Sequence, residues 1–475
     1  MSEKRQNPLA LDKESMRKFG YAAVDAIVEY FDGVDQQSVV PPKSRQSLPR
    51  NLQEFSEEPK PIDTLLKDSL SGVFDDCMNL IHPRFFAYIP GPGNFVSTVG
   101  DLLVSGHNVF AGISPHNLGA QIVEANTIRW LCDLADMPET AGGLFVSGGS
   151  VAILTGLAAG RTRILKDRVE GARIYCSDQT HSSVERALGL LGFDSSQLRE
   201  VNVKPDFRID VTDLERQICA DAESGYKPFC IIGNAGTTNT GAVDPLDELA
   251  AIAAKHELWF HVDAAYGGGA LLSQRGKRQL EGIGLADSIS FDPHKWLFQP
   301  YENACVLVKD PATLRDTFRR VPDYMRDSDQ PQHLTNYRDM SPQVTRGFKA
   351  FKLWLSLHAY GVSAFRQSVD HGLDMAEYFQ SVLEKRKNWQ VVTPATLGVV
   401  TFRYLFDGNA EQQDELNREL IQCINEDGYA FFSSTRIHGR DVNRGCPINP
   451  ALTHADIDST VAKLEELAQS LLDNH

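Results

Sequence analysis

The sequence predicts an α/β protein built on a mostly parallel sheet, and three observations carry that prediction. Between residues 101 and 310, short runs of apolar, β-branched and aromatic residues alternate with stretches long enough for a crossover helix. Runs such as Trp259-Phe260-His261-Val262 are near-continuously apolar, as strands covered on both faces are. Several runs end in clusters of Gly, Ser, Thr, Asp or His, the composition expected where such a sheet opens on a ligand crevice.

In chain order, residues 14–32 place Met16, Phe19, Ala23, Ile27 and Phe31 at helical spacing, and a Pro-rich polar connector follows over 39–61. The wide apolar stripe of that helix can pack on its own domain or on a partner subunit. Strands are expected at 144–146, 173–176, 229–232, 259–262, Ser288–Phe291 and Ala304–Val308. After Lys349 the texture changes to a helix through Leu357, strands at 391–392, Val399–Tyr404 and 429–433, and a closing helix over 454–472, which suggests a smaller α+β domain. A chain of 475 residues, 42% of them apolar, is too long for one ordinary domain. The expected division is an N-terminal arm and connector (1–84), a large domain (85–358) and a small C-terminal domain (359–475).

A formal charge of −16 argues against nucleic acid or an anionic membrane as a main partner, because both would repel the surface. The eight cysteines are scattered, with no C-x-x-C pair and no His spacing suggestive of a metal site, and read as reduced core residues. Residues 1–7 are polar with no apolar stretch behind them, and no window reaches a membrane-spanning length, so a cytoplasmic protein is expected.

The chemistry centres on Asp263 and Lys295. Asp263 ends a buried strand, and the Asp292-Pro293 step forces a turn that presents His294 and Lys295 ahead of the apolar Trp296-Leu297-Phe298. A carboxylate and an amine so placed are the two electronic poles of a pyridoxal phosphate (PLP) site: the amine bonds the cofactor's aldehyde and the carboxylate keeps its ring nitrogen protonated. Ser147-Gly148-Gly149-Ser150, opening a helix, makes an anion cradle of backbone N–H groups, an ordinary N-cap if it stood alone. His181, in Asp178-Gln179-Thr180-His181-Ser182-Ser183-Val184, falls at the same sheet edge, where an imidazole can stack on a ring. Gly236-Thr237-Thr238-Asn239-Thr240-Gly241 offers hydroxyls there as well.

With these segments assembled, and with Phe85-Phe86-Ala87-Tyr88, His261-Val262-Asp263-Ala264-Ala265-Tyr266 and Pro293-His294-Lys295-Trp296, the chain resembles the group II pyridoxal-dependent decarboxylases, aromatic-L-amino-acid decarboxylase branch, over nearly its whole length. The resemblance implies the fold type I architecture of PLP enzymes, with a seven-stranded-type sheet. It also implies a homodimer with shared active sites and an arm that wraps the partner. Position by position it implies Lys295 as the cofactor-bonding lysine, Asp263 as the ring-nitrogen partner and His181 as the stacking imidazole near the substrate carboxylate. Ala265 would lie beneath the ring, Thr237 would contact the cofactor, and Gly149, Ser150, His294 and the turn at Asp292 would form the phosphate cup. Some relatives carry Asn at the Asp292 position, so the carboxylate here must turn away or act through another donor.

Tyr324, in Pro322-Asp323-Tyr324-Met325-Arg326, matches the family's catalytic loop and would return a proton to Cα. Phe86, Tyr88, Pro90 and, across the dimer, Phe110, Ala111, Ser114 and His116 would line the substrate pocket. Ala111 stands where many relatives have Trp, implying a wider pocket. The expected reaction is decarboxylation of an aromatic L-amino acid to its amine. An aldehyde synthase of the same fold and a decarboxylase of a non-aromatic amino acid are the alternatives, and Tyr324 together with His181 favours plain decarboxylation.

Overall fold

The computed structural model describes residues 7–41, 50–113, 117–320 and 335–474. Among these residues a seven-stranded sheet is formed by β1 (Gly142–Val146), β2 (Ala172–Ser177), β3 (Leu198–Val201), β4 (Lys227–Asn234), β5 (Trp259–Asp263), β6 (Ser288–Phe291) and β7 (Ala304–Val308), in the order β1-β7-β6-β5-β4-β2-β3. The pairings from β6 through β5, β4 and β2 to β3 are parallel, whereas β7 runs antiparallel to both β1 and β6. β1 therefore shares the direction of the parallel strands. The carboxyl ends of β1, β2, β4, β5 and β6 all open on one edge.

Most strands of this sheet feed two cores with alternate residues, as the two-residue period of a pleated sheet requires. Phe145, Tyr175, Ile231, Phe260, Ile289 and Leu307 enter one cluster, while Leu144, Val146, Ile174, Ile232 and Val306 enter the other. Burial on both faces is the reason these strands read as continuous apolar runs. The strands expected in this sheet are found. β3 was not anticipated, because this four-residue edge strand, Leu198-Arg199-Glu200-Val201, fully buries Val201 alone.

A second, antiparallel sheet contains β8 (Trp389–Thr396), β9 (Val399–Tyr404), β10 (Ser433–Ile437) and β11 (Arg440–Gly445), ordered β10-β11-β9-β8. Helices Val362–Glu384, Ala410–Asp427 and His454–Asn474 cover it, with Phe379, Leu420 and Val461 packed among Val400 and Phe402. The strand expected at 429–433 instead starts at Ser433. The Asn425 side chain captures the preceding backbone, accepting from Phe432 N at 2.8 Å and donating to Phe432 O at 3.0 Å. The polar β11 escaped the sequence reading, although its turn, His438-Gly439 with φ of 49° and 75°, suits a two-residue hairpin.

The N-terminal helix Lys13–Asp32 starts where predicted, with the Asp12 carboxylate accepting from Glu14 N and Ser15 N. None of its residues is buried, and Met16, Phe19, Tyr21, Val28 and Tyr30 are exposed. Among the described residues no helix is long and apolar enough to cross a membrane.

Candidate active site

Five loops meet at the open edge of the large sheet. In-register pairing sets Asn234, Asp263 and Ser290 side by side across β4, β5 and β6, so their side chains share one face. Asp263 is held there by two donors on the same oxygen: Ser290 Oγ at 2.9 Å and Ala265 N at 3.1 Å, both to Oδ1. That leaves Oδ2 for a further donor. Two residues earlier on this face, the fully buried His261 lies 2.8 Å from Ser288 Oγ, which also accepts from Trp259 Nε1 at 2.9 Å. Burial pushes the His261 imidazole down to about 4, so at neutral pH it is uncharged.

Beyond β6 the backbone turns at once, with Lys295 N donating to Asp292 O at 2.9 Å. The turn is anchored by the fully buried Trp296, whose indole stacks on Tyr266 at 5.1 Å and 16°. Tyr266 in turn donates to Leu397 O, in the turn between β8 and β9. Gly91 presses on the same turn: a Cβ there would stand 1.9 Å from His294 O, so no other residue fits. Lys295 is half-buried, its Nζ 3.3 Å from Asp292 Oδ2.

The Gly-rich segment expected to cradle an anion falls at a helix start. Helix Gly149–Gly160 opens after β1 behind Gly148, which has no side chain to cap the first turn. A Cβ on Gly149 would meet the Asp292 carboxylate at 2.7 Å, so that carboxylate faces the helix start instead of turning away. Asp292 is buried and its Oδ1 has no hydrogen-bond partner. His294 lies 3.5 Å away through Nε2, with Nδ1 2.7 Å from Asn303 O. A carbonyl only accepts, so Nδ1 carries the proton; burial lowers the imidazole's pKa, and the neutral ring offers Asp292 none. Ser150 is exposed at the same helix start.

His181 stands exposed after β2. Ser183 N donates to its Nδ1 at 3.2 Å and Ser183 Oγ lies 2.7 Å from the same atom, which leaves the proton on Nε2, directed away from that loop. Thr237 is buried after β4, its hydroxyl 2.9 Å from that of Thr240. Ala265 N and O link the two strand ends, donating to Asp263 and accepting from Asp292 N at 3.2 Å. An amine, a carboxylate with a spare oxygen, a glycine-opened helix and an exposed imidazole on one edge suit a cofactor with an aldehyde, a ring nitrogen and a phosphate.

The substrate-facing residues are less uniform. The Phe86 ring is buried against Phe432 and Phe379 in the small-domain core. Tyr88 is exposed with φ of 53°, Pro90 is buried and Phe110 is half-buried. Ala111 is fully buried and pinned by its backbone, N to Arg346 O and O from Arg346 Nη1, while Arg346 pairs with the buried Glu124. Ser114, His116 and Tyr324 lie outside the described residues.

Arg444 was missed by the sequence reading. It is 2% exposed, donates to the backbone oxygens of Tyr88 and Thr238 and to Ser433 Oγ, has no carboxylate among those acceptors, and keeps Nη2 without a partner. A buried cation joined only to neutral acceptors is suited to an anionic ligand. The sequence signal was faint: an Arg beside the buried, Cys-containing strand end of the small sheet.

Residues 41–405 match the family model described as the pyridoxal-dependent decarboxylase conserved domain. The chain is 41% identical over 470 residues to an aromatic-L-amino-acid decarboxylase of Bacillus atrophaeus, covering 98% of this chain and 97% of that one. Among solved structures, Oryza sativa TDC with PLP and tryptamine superposes with a TM-score of 0.92 at 29% identity, over 98% of this chain and 99% of that one. Rhodiola rosea 4-hydroxyphenylacetaldehyde synthase does so with a TM-score of 0.89 at 26% identity, over 98% and 99%.

Proposed function

This chain belongs to the pyridoxal-dependent decarboxylase family, and from that premise we propose how its residues divide the work of removing CO2 from an aromatic L-amino acid. It is a PLP-dependent carboxy-lyase with the fold type I sheet. The observation that carries the residue assignment is the clasped Asp263, with Lys295 presented one turn beyond the neighbouring strand.

The cofactor, when bound, supplies an electron-accepting ring that stabilises the electron pair left at Cα as CO2 departs. Lys295 is the amine that would hold the cofactor through its aldehyde. Asp263, fixed by Ser290 and Ala265, holds a proton on the ring nitrogen, a role that requires its negative charge. His181, its Nδ1 engaged by Ser183, would stack on the cofactor ring and offer Nε2–H to the substrate carboxylate. Gly149, Ser150 and His294 would hold the phosphate, while Ala265 and Thr237 would border the ring. Tyr324 delivers the proton to Cα, on the resemblance of residues 322–326 to the family's loop.

Arg444 fixes the segments of Tyr88 and Thr238 and offers its spare Nη2 to the substrate's carboxylate side. Phe86 supports that wall from the small-domain core, and Tyr88, Pro90, Phe110, Ala111, Ser114 and His116 complete the pocket. The assembly is a homodimer: the helix Lys13–Asp32 buries none of its residues in its own chain, and its exposed Met16, Phe19 and Tyr21 suit a partner surface. The arm (1–84), cofactor-binding body (85–358) and small domain (359–475) are the units of this assembly. Eight unpaired cysteines suit a reducing, cytoplasmic setting.

The test is turnover of the PLP-loaded protein against a panel of L-amino acids, following CO2, amine, aldehyde and peroxide together. Equal CO2 and amine from tryptophan, tyrosine or an analogue is expected. Aldehyde with peroxide would favour the synthase reading, to which the Rhodiola rosea likeness gives weight, and would remove Tyr324 as proton donor.

A further inference from the structure

The carboxylates at the large-sheet edge differ in how they are satisfied. Asp244 accepts from Ile209 N and Asn234 N, each at 2.8 Å, and from Asn234 Nδ2 at 2.9 Å. Asp263 accepts from two donors on Oδ1. Asp292 is as buried as Asp244, yet one oxygen has no partner and the other has only the Lys295 ammonium at 3.3 Å and a ring nitrogen at 3.5 Å. A buried carboxylate kept for structure collects donors, because each unmade hydrogen bond in an apolar setting is costly. Asp292 instead points at the start of helix Gly149–Gly160, where unpaired N–H groups and the helix dipole favour an anion.

We propose that Asp292 is a tethered stand-in for the cofactor's phosphate: its carboxylate lies against the anion cradle beside Gly149 and Lys295, and phosphate enters only by displacing it. This inference rests on the pyridoxal phosphate reading and adds that this chain competes with its own cofactor. The stand-in gives Lys295 a counter-ion and sets a negative charge facing the helix start, with its Oδ1 accepting from none of the N–H groups there. The same charge opposes a phosphate arriving within a few ångströms, where two like charges interact strongly even at the effective dielectric of a protein surface. Loading is therefore weaker and more readily reversed than the cradle alone would make it.

The experiment uses full-length protein freed of cofactor, as wild type, Asp292→Asn and Asp292→Ala. Inorganic phosphate binding is measured by calorimetry and by the shift in thermal unfolding, and PLP binding by the visible absorption of the lysine-bound cofactor. Both substitutions are expected to tighten phosphate binding by about tenfold or more, because both remove the competing charge. PLP affinity is expected to rise in parallel, whatever happens to turnover. Unchanged or weaker phosphate binding in both variants would overturn the proposal and make Asp292 part of the occupied cup. If Asn tightens binding while Ala does not, the gain comes from a new donor and the stand-in is likewise refuted. Wild type that never develops the absorption band would count against the cofactor reading, while the phosphate measurement would still decide the role of Asp292.

Discussion

Asp263 and Asp292 stand at the ends of adjacent parallel strands, two residues of one type with opposite surroundings. Asp263 is held by a hydroxyl and a backbone N–H on one oxygen, which orients the other. Asp292 faces a helix start with an oxygen that no group satisfies. The contrast separates a fixed part of the machinery from a replaceable one. Satisfaction by the chain marks the carboxylate that must keep its charge and place through every turnover. Frustration marks the one whose position another anion is meant to take.

The largest expected effect comes from the satisfied side. Asp263→Asn keeps shape and both incoming hydrogen-bond directions but loses the charge, and kcat should fall by roughly two to three orders of magnitude with cofactor still bound by absorption. A loss of less than tenfold would erase the distinction between the two carboxylates. Next in size is the effect of His261, beneath Asp263 on the same strand. Its folded pKa, about 4, lies below the ordinary 6.5, so the unfolded chain takes up a proton that the folded chain refuses. Its contribution to stability is complete above pH 6.5 and declines as pH falls toward 4. Urea unfolding at pH 7 and near pH 4.5 should show that decline in wild type and a shallower one in His261→Gln; parallel declines would show that the imidazole beneath Asp263 carries no such linkage. The smallest effect is expected from Ser290→Ala, which removes one of the two donors on Asp263. A loss of about 1 kcal/mol, severalfold in kcat, should result, and no change would mean that Ala265 N alone orients the carboxylate.

How much of this was legible follows from what is local. Asp263 and Lys295 could be read because a buried apolar run and a Pro-enforced turn announce themselves within a few residues. The helix start near Gly149 was legible for the same reason. The direction of Asp292 was not, since facing the helix start or turning away depends on contacts between β1 and β6, which are separated in the sheet by β7. Arg444 was invisible because being buried without an acidic partner is a property of the assembled fold. Phe86 looked like a pocket aromatic, yet its ring belongs to the small-domain core, a choice made by Phe379 and Phe432 far along the chain. In the small sheet, Asn425 overrode local strand propensity by binding Phe432, whereas the edge strand β3 had too little apolar surface to leave a trace.

The stack of Trp296 on Tyr266, and the hydrogen bond from Tyr266 to Leu397, fasten the lysine-bearing turn to a hairpin of the other sheet. The two sheets are thereby geared: a rocking of the small sheet reaches the residue next to Lys295 through one aromatic pair. A substitution that loosens the β8–β9 turn would therefore be felt first at the lysine-bearing turn.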